Sequence, residues 1–214
     1  MDEDLAIINS NTRNEKIKNF LIKNKKKLIS VISIFVLLLM GYFGYKEYKN
    51  IQRVKISDEF NMIVAEYSET NSETTVKRLI DVINKKDPTY SPLSLYFIID
   101  NKLISDHQQV ANFFDVLINK VDQEKEMKNL IIYKKSLYIA DRADEGELLN
   151  TLSPLINTES IWKSHALYLV AEFFYSKNEK EKSKEFFNQI INLSTANEDI
   201  KQRAQIRLIR DLSE

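Results

Sequence analysis

The chain has 214 residues, with 31 basic and 31 acidic side chains, three glycines, three prolines, two histidines and no cysteine. So little glycine and proline argues against turn-rich β-sandwiches and barrels, and against the glycine loops of Rossmann and P-loop enzymes. The absence of cysteine removes disulfides, thiolate metal sites and cysteine nucleophiles. Two histidines cannot supply a His-rich metal site. An all-α protein without metal or cofactor is therefore expected.

The overall neutrality hides an uneven distribution. Residues 1–27 carry seven basic groups and four acids, residues 28–45 carry none, and the remaining body holds 24 basic and 27 acidic groups. A mildly acidic body gives no electrostatic reason to expect nucleic acid as a partner. The uncharged segment reads LISVISIFVLLLMGYFGY, from Leu28 to Tyr45. As a helix it spans about 27 Å, close to the hydrocarbon thickness of a bilayer, and Lys25–Lys27 and Lys46 can snorkel to cover the difference. Tyr42 and Tyr45 stand where an interfacial aromatic belt would. The run ends in Met40-Gly41-Tyr42-Phe43-Gly44-Tyr45, without a small-residue cleavage site, so it reads as an uncleaved anchor. Seven basic residues fall in the fifteen before Leu28 and four in the fifteen after Tyr45. By the positive-inside rule the N-terminus is cytoplasmic and the body lies across the inner membrane. The chain divides into a basic cytoplasmic tail (1–27), a transmembrane signal-anchor helix (28–45) and a body (46–214).

From Lys46 to Lys86 there is neither glycine nor proline, so the anchor helix can continue into the body. Ile51, Val54, Phe60, Ile63, Val64 and Tyr67 give this extension an apolar stripe, and the polar segment Glu69–Thr75 breaks it. A second amphipathic stretch carries Val76, Leu79, Ile80, Val82 and Ile83. An aliphatic residue, isoleucine and asparagine then recur as a tripeptide ending at Asn84, Asn119, Asn157 and Asn192, with intervals of 35, 38 and 35 residues. Each ends an amphipathic run, which marks a repeated supersecondary unit. Asparagine tolerates the left-handed conformation and is expected to stop the helices.

Each unit holds two helical stretches, clearest in Ser160–Ser176 and Glu179–Leu193 with a polar connection around Asn178. Moving this unit back by 35 residues sets Leu167 on Ile132, Tyr168 on Tyr133, Ala171 on Ser136, Phe174 on Ile139, Phe187 on Leu152 and Ile190 on Leu155. The period and size pattern read as a tetratricopeptide-like α-solenoid of three to four degenerate helical hairpins. Three additional residues are expected in the Asp122–Met127 connection, and Pro154 should kink the third unit's second helix. The register around Ser91–Ser105 is left open. Asn197–Leu212, with Ile200, Ala204 and Leu208 on one face and basic residues elsewhere, reads as a polar-backed capping helix.

Chemistry-bearing residues are few. His107, after Asp106 at a helix start, and His165 would allow a metal site or dyad, but no third group is tied to them by spacing; two partly exposed polar residues explain them as well. Glu172, Glu179, Glu181 and Glu185 interleave with lysines, as solvated faces do. Arg203, Arg207 and Arg210 form a stripe that either caps the array or docks an acidic partner. The Phe113–Phe114, Phe173–Phe174 and Phe186–Phe187 pairs should each put one ring in the core. Likeness to tetratricopeptide proteins implies that His165, Tyr168, Glu172 and Tyr175 line a partner-binding groove, with Tyr133 matching Tyr168 one unit earlier. Ordinary packing is the alternative for these tyrosines, whose large rings suit peptide contacts at low entropy cost.

A basic tail, one uncleaved anchor, a helix continuing from it and degenerate tetratricopeptide-like hairpins together resemble the ancillary SecYEG translocon subunit family, over the whole chain. That family's repeat domain is related to the one in cell-division coordinator proteins. The resemblance implies a non-enzymatic inner-membrane protein whose repeat domain is periplasmic. Its partners would be Sec translocon subunits, periplasmic chaperones or client polypeptides, with no nucleic acid and no small-molecule substrate. A cell-envelope assembly or division coordinator on the same scaffold is an alternative, and a membrane-bound hydrolase or metal protein a more distant one.

Overall fold

The computed structural model describes residues 2–212, with side chains from residue 14 onward. Asp2, Glu3, Asp4 and Arg13, which enter the charge of the tail, have side chains outside the described residues. Among the described residues the protein is all-helical, with nine α-helices and one short 3-10 turn. It forms two compact units, divided between Lys55 and Ile56.

The first unit is helical throughout and belongs to α1, Asp2–Glu66. Among the described residues this is the one helix long and apolar enough to cross a membrane, with mean hydropathy 2.2 over an 18-residue window, none of it buried. Ile32, Phe35, Leu37, Leu38 and Met40 are all exposed. An apolar belt of this extent is what a bilayer, rather than water, covers. The Ser30 hydroxyl donates to the Lys26 carbonyl at 3.0 Å. At the far end Tyr42 meets Phe43 edge-on, with centroids 5.5 Å apart, and Lys49 Nζ lies 5.3 Å from the Tyr45 ring centre. A methyl group added at Gly41 or Gly44 would meet nothing within 4 Å, so neither glycine serves a close contact within the chain.

The second unit is built of the end of α1 from Ile56, whose Ile63 is fully buried, and of α2 (Ser72–Asn84), α3 (Tyr90–Asp100), α4 (His107–Lys120), α5 (Lys125–Ile139), α6 (Glu145–Ile156), α7 (Lys163–Ser176), α8 (Lys180–Asn192) and α9 (Glu198–Asp211). From α2 onward each helix packs on the next in the chain, and α7 also touches α5 and α9 across the intervening helices. That is the stacking of a solenoid of antiparallel hairpins. Its core runs in three successive clusters, joined by residues such as Ile118, Tyr138, Ile156 and Phe186 that belong to two of them.

The tripeptide repeat is a packing register. Nine residues before each tripeptide asparagine stand Thr75, Val110, Leu148 and Ser183, all buried. Five before stand Leu79, Phe114, Leu152 and Phe187, and two before stand Val82, Leu117, Leu155 and Ile190, each at most 1% exposed. Positions spaced by four and three lie on one helical face, so α2, α4, α6 and α8 bury the same stripe. The facing positions of α5 and α7 are buried in matching pairs: Ile132 and Leu167, Ser136 and Ala171, Ile139 and Phe174. The Ser136 hydroxyl can be buried because it donates to the Ile132 carbonyl at 2.9 Å.

Helix starts follow the sequence. Asp106 accepts from the Gln108 and Gln109 amides, Asp144 from Glu147, and Asn197 from Ile200, each an N-cap on orphaned amides. Helix stops do not follow as expected. None of the four tripeptide asparagines is left-handed; the positive-φ residues are Lys86, Lys102 and Asn178. After α3, Leu103 N–H reaches the Ile98 carbonyl at 2.9 Å, and after α7, Glu179 N–H reaches Phe174 at 2.9 Å. Both are Schellman closures, one around a lysine. Asn84, Asn119 and Asn192 instead lie in the last turns of their helices, and Asn157 caps α6 without turning left-handed.

Other expectations are adjusted. The break after the extension is shorter than Glu69–Thr75: a 3-10 turn covers Glu69–Asn71 and α2 begins at Ser72. Thr75 is buried with its hydroxyl on Asn71 Oδ1 at 3.0 Å. The three additional residues of the third unit are not loop. The next helix starts six residues after Asn119 and six after Asn157, so they form an extra turn, Lys125–Met127, at the start of α5. α6 runs through Pro154 to Ile156. In the phenylalanine pairs one ring is core at Phe114 and Phe187, but Phe173 and Phe174 are both buried. The back of α9 is not uniformly polar, because Ile206 and Ile209 are exposed there.

Candidate functional site

The extra turn of α5 shapes the site. Glu126 accepts the Ser160 hydroxyl at 2.9 Å, its carbonyl accepts from Trp162 Nε1 at 3.1 Å, and Asn129 donates to Ser160 at 3.0 Å. Lys125 Nζ adds a bond to the Glu159 carbonyl at 2.9 Å. The α6–α7 connection is thereby tied to α5, and Trp162 is held at the threshold of α7.

Trp162 stacks on Tyr133 with centroids 5.8 Å apart and an interplanar angle of 22°. His165, one turn into α7, lies 5.3 Å from the Trp162 ring and 5.8 Å from the Tyr133 ring. Its Nδ1 is buried, and the hydrogen-bonding neighbour of the imidazole is the Ile161 backbone. Burial pushes the imidazole below its usual range, so the neutral form is the one the fold prefers. Burial likewise raises the Tyr133 phenol. Two of the expected groove residues, Tyr133 and His165, are thus brought together with Trp162, which the sequence reading left out. The signal for it was weak: it is the only tryptophan, placed just before a helix rather than on a helical face.

The other three form a second group further along α7. Tyr168 lies edge-on to Phe187 at 5.3 Å. Glu172 receives two parallel bonds from Arg207 of α9, at 2.7 and 2.8 Å. The same guanidinium sits 4.2 Å from the Tyr175 ring centre and is bonded to Asp211. Burial works against the charge on Arg207, and the bonds and charges of Glu172 and Asp211 outweigh it, raising its pKa. Arg210 and Arg207 hold the Asp211 carboxyl at about 2.

The three arginines therefore do not form an open cationic stripe. Arg207 is bonded to Glu172 and Asp211, Arg210 to Asp211, and Arg203 to Asp199 at 2.9 Å. Of the two uses considered for this stripe, capping the array fits these pairs. Glu172 is equally occupied. Chemically this region offers an aromatic surface that includes one imidazole, next to an internally neutralised ion cluster.

The two histidines are not joined. His107 Nδ1 is 2.7 Å from the Tyr138 hydroxyl, between α4 and α5. Among the described residues no three histidine, aspartate or glutamate side chains come together as metal ligands would. No protein-family model, curated protein or solved structure matches this chain.

Proposed function

We propose that the protein is a membrane-anchored, non-enzymatic scaffold for protein–protein interaction. Its α5–α7 aromatic surface would receive a polypeptide, and its anchor would hold that surface beside membrane partners. The observation that carries this reading is the Tyr133–Trp162–His165 cluster, an aromatic platform on a repeat unit whose chain also contains a membrane-length apolar helix. Tethering raises the effective concentration of a surface near its partners, so weak contacts can suffice.

The basic flank before Leu28 supports a cytoplasmic N-terminus and a periplasmic repeat unit on a single-pass inner-membrane protein. The family resemblance supports an ancillary role at the Sec translocon, handing secreted proteins to periplasmic chaperones. Site-specific photocrosslinking from Tyr133 and Tyr168 in intact cells tests the partner. Translocon subunits, chaperones or secreted clients are expected; recovery of division or cell-wall proteins alone would replace this role with envelope coordination. Reporter fusions at the C-terminus test orientation, and a cytoplasmic C-terminus would overturn the compartment.

A further inference from the structure

One hairpin earlier than the His165 cluster, α3, α4 and α5 enclose a cleft of about 290 Å³. Its floor is Phe114, 1% exposed, and its walls include Tyr96, Ile99 and Tyr138. Lys134 and the exposed Leu137 stand at its edge. The Tyr138 hydroxyl is engaged by His107 at 2.7 Å. The Tyr96 hydroxyl is different: it is buried and has no hydrogen-bond partner among the described residues. Burial raises that phenol to about 12, so it remains a proton donor at neutral pH.

Lys134 is also unsatisfied. Its Nζ lies 4.4 Å from the Tyr96 ring centre, and among the described residues no carboxylate pairs with it. The neighbouring Lys135, by contrast, is bonded to Asp115 at 2.7 Å. An ammonium held over an aromatic ring at the edge of the cleft can receive an anion there. The aromatic floor calls for an apolar group beside that anion. The volume sits at the lower limit for small-molecule sites, about 300 Å³, and suits one inserted side chain. Leu137, 47% exposed at the edge, offers apolar surface to a chain that continues past the inserted residue.

We propose that this cleft binds an extended segment of another polypeptide in which a large apolar side chain stands next to an acidic one. The apolar side chain enters against Ile99 and Leu137, and the carboxylate pairs with Lys134. Asp100, exposed at the mouth, disfavours further acids, so the cleft selects a single acidic residue rather than an acidic run. This inference rests on the reading of the repeat unit as a polypeptide-binding scaffold and is independent of which membrane partner it serves.

The test uses the full-length chain in detergent micelles and a fluorescein-labelled peptide, amidated at its C-terminus, centred on Ser-Phe-Glu-Ser. Fluorescence anisotropy should show saturable binding, weakened at least about fivefold by Lys134→Met and by Glu→Gln or Phe→Ser in the peptide. Lys180→Met, on the distant α8, should leave it unchanged, and circular dichroism should show every variant as helical as the parent. No saturable binding by the parent chain, or equal affinity for the Gln peptide or the Lys134→Met variant, would overturn the proposal. If the peptide fails while crosslinks form from Tyr133 and Tyr168, the cleft loses its occupant and the scaffold reading stands.

Discussion

Two places in the repeat unit use the same device to different ends. At the cleft, a cation, Lys134, lies 4.4 Å from the centre of a tyrosine ring above a buried phenylalanine, and no carboxylate in the described chain meets it. At the α7–α9 end, Arg207 lies 4.2 Å from the Tyr175 ring and 6.0 Å from the buried Phe187, and two carboxylates meet it. Cation over aromatic floor is common to both. The counterion is internal at one and missing at the other. An ion cluster closed within the chain serves the cap of the array, whereas an open one is available to a partner. A planar guanidinium suits the two-pronged bond to Glu172, and a lysine suits a single movable contact.

Substitutions separate the shared floor from the differing rim. Phe114→Ala and Phe187→Ala should each cost about 3–5 kcal/mol in chemical denaturation of the repeat unit, because both rings are fully packed. A small loss at Phe114 alone would mean that the cleft is already a void and the likeness of the floors fails. The rims should differ. Arg207→Met, which leaves Glu172 without its cation and Asp211 with Arg210 alone, should cost about 2 kcal/mol, and Lys134→Met should stay within about 0.5 kcal/mol. Equal effects would erase the contrast between a closed and an open ion cluster.

Titration sharpens it further. The depressed Asp211 carboxyl contributes stability above its ordinary value of 3.8, lost as the pH falls toward about 2. Asp211→Asn should flatten the stability profile in that window. His165 has a pKa lowered by burial, so its neutral form stabilises the fold above the ordinary 6.5 and stability declines as the pH drops below that. His165→Gln should remove this decline, while His107→Gln should not. The smallest expected effect lies at the helix ends flanking the two places. Lys102, left-handed after α3, should gain about 0.5–1 kcal/mol as glycine, and Asn178 after α7 less, because asparagine already tolerates that conformation. A thermal melt of Lys102→Gly no higher than the parent would contradict the strain assigned to that turn.

The hairpin array was legible because its burial stripe is written four times at nearly constant spacing, in Leu79–Val82, Phe114–Leu117, Leu152–Leu155 and Phe187–Ile190. The membrane-length helix was legible for a related reason: no charge interrupts it. Helix stops were less so. A lysine forced left-handed by a Schellman closure carries no mark in the sequence, and the asparagines that looked like stop signals were the tail of the packing stripe. Of the expected site, Tyr133 and His165 come together, but Trp162 enters through Glu126 and Ser160, a connection that depends on how the extra turn of α5 meets the next unit. Glu172 and Arg207 are 35 residues apart, the spacing of the repeat itself, so their pairing could have been anticipated from the period. The cleft could not, because its lining comes from three helices, α3, α4 and α5, whose juxtaposition no single repeat position marks.

The ties between neighbouring hairpins are local in the chain: Lys182 with Glu145 and Arg207 with Glu172 join residues 37 and 35 apart. Closing loops of that size costs little entropy, and folding that depends on such local contacts is fast. Each hairpin can therefore complete its packing as soon as it and its predecessor have been delivered, without waiting for the C-terminus. A chain that emerges progressively from a synthesis or export channel would hide its apolar stripes one unit at a time, so that only the newest hairpin is ever vulnerable to misassociation.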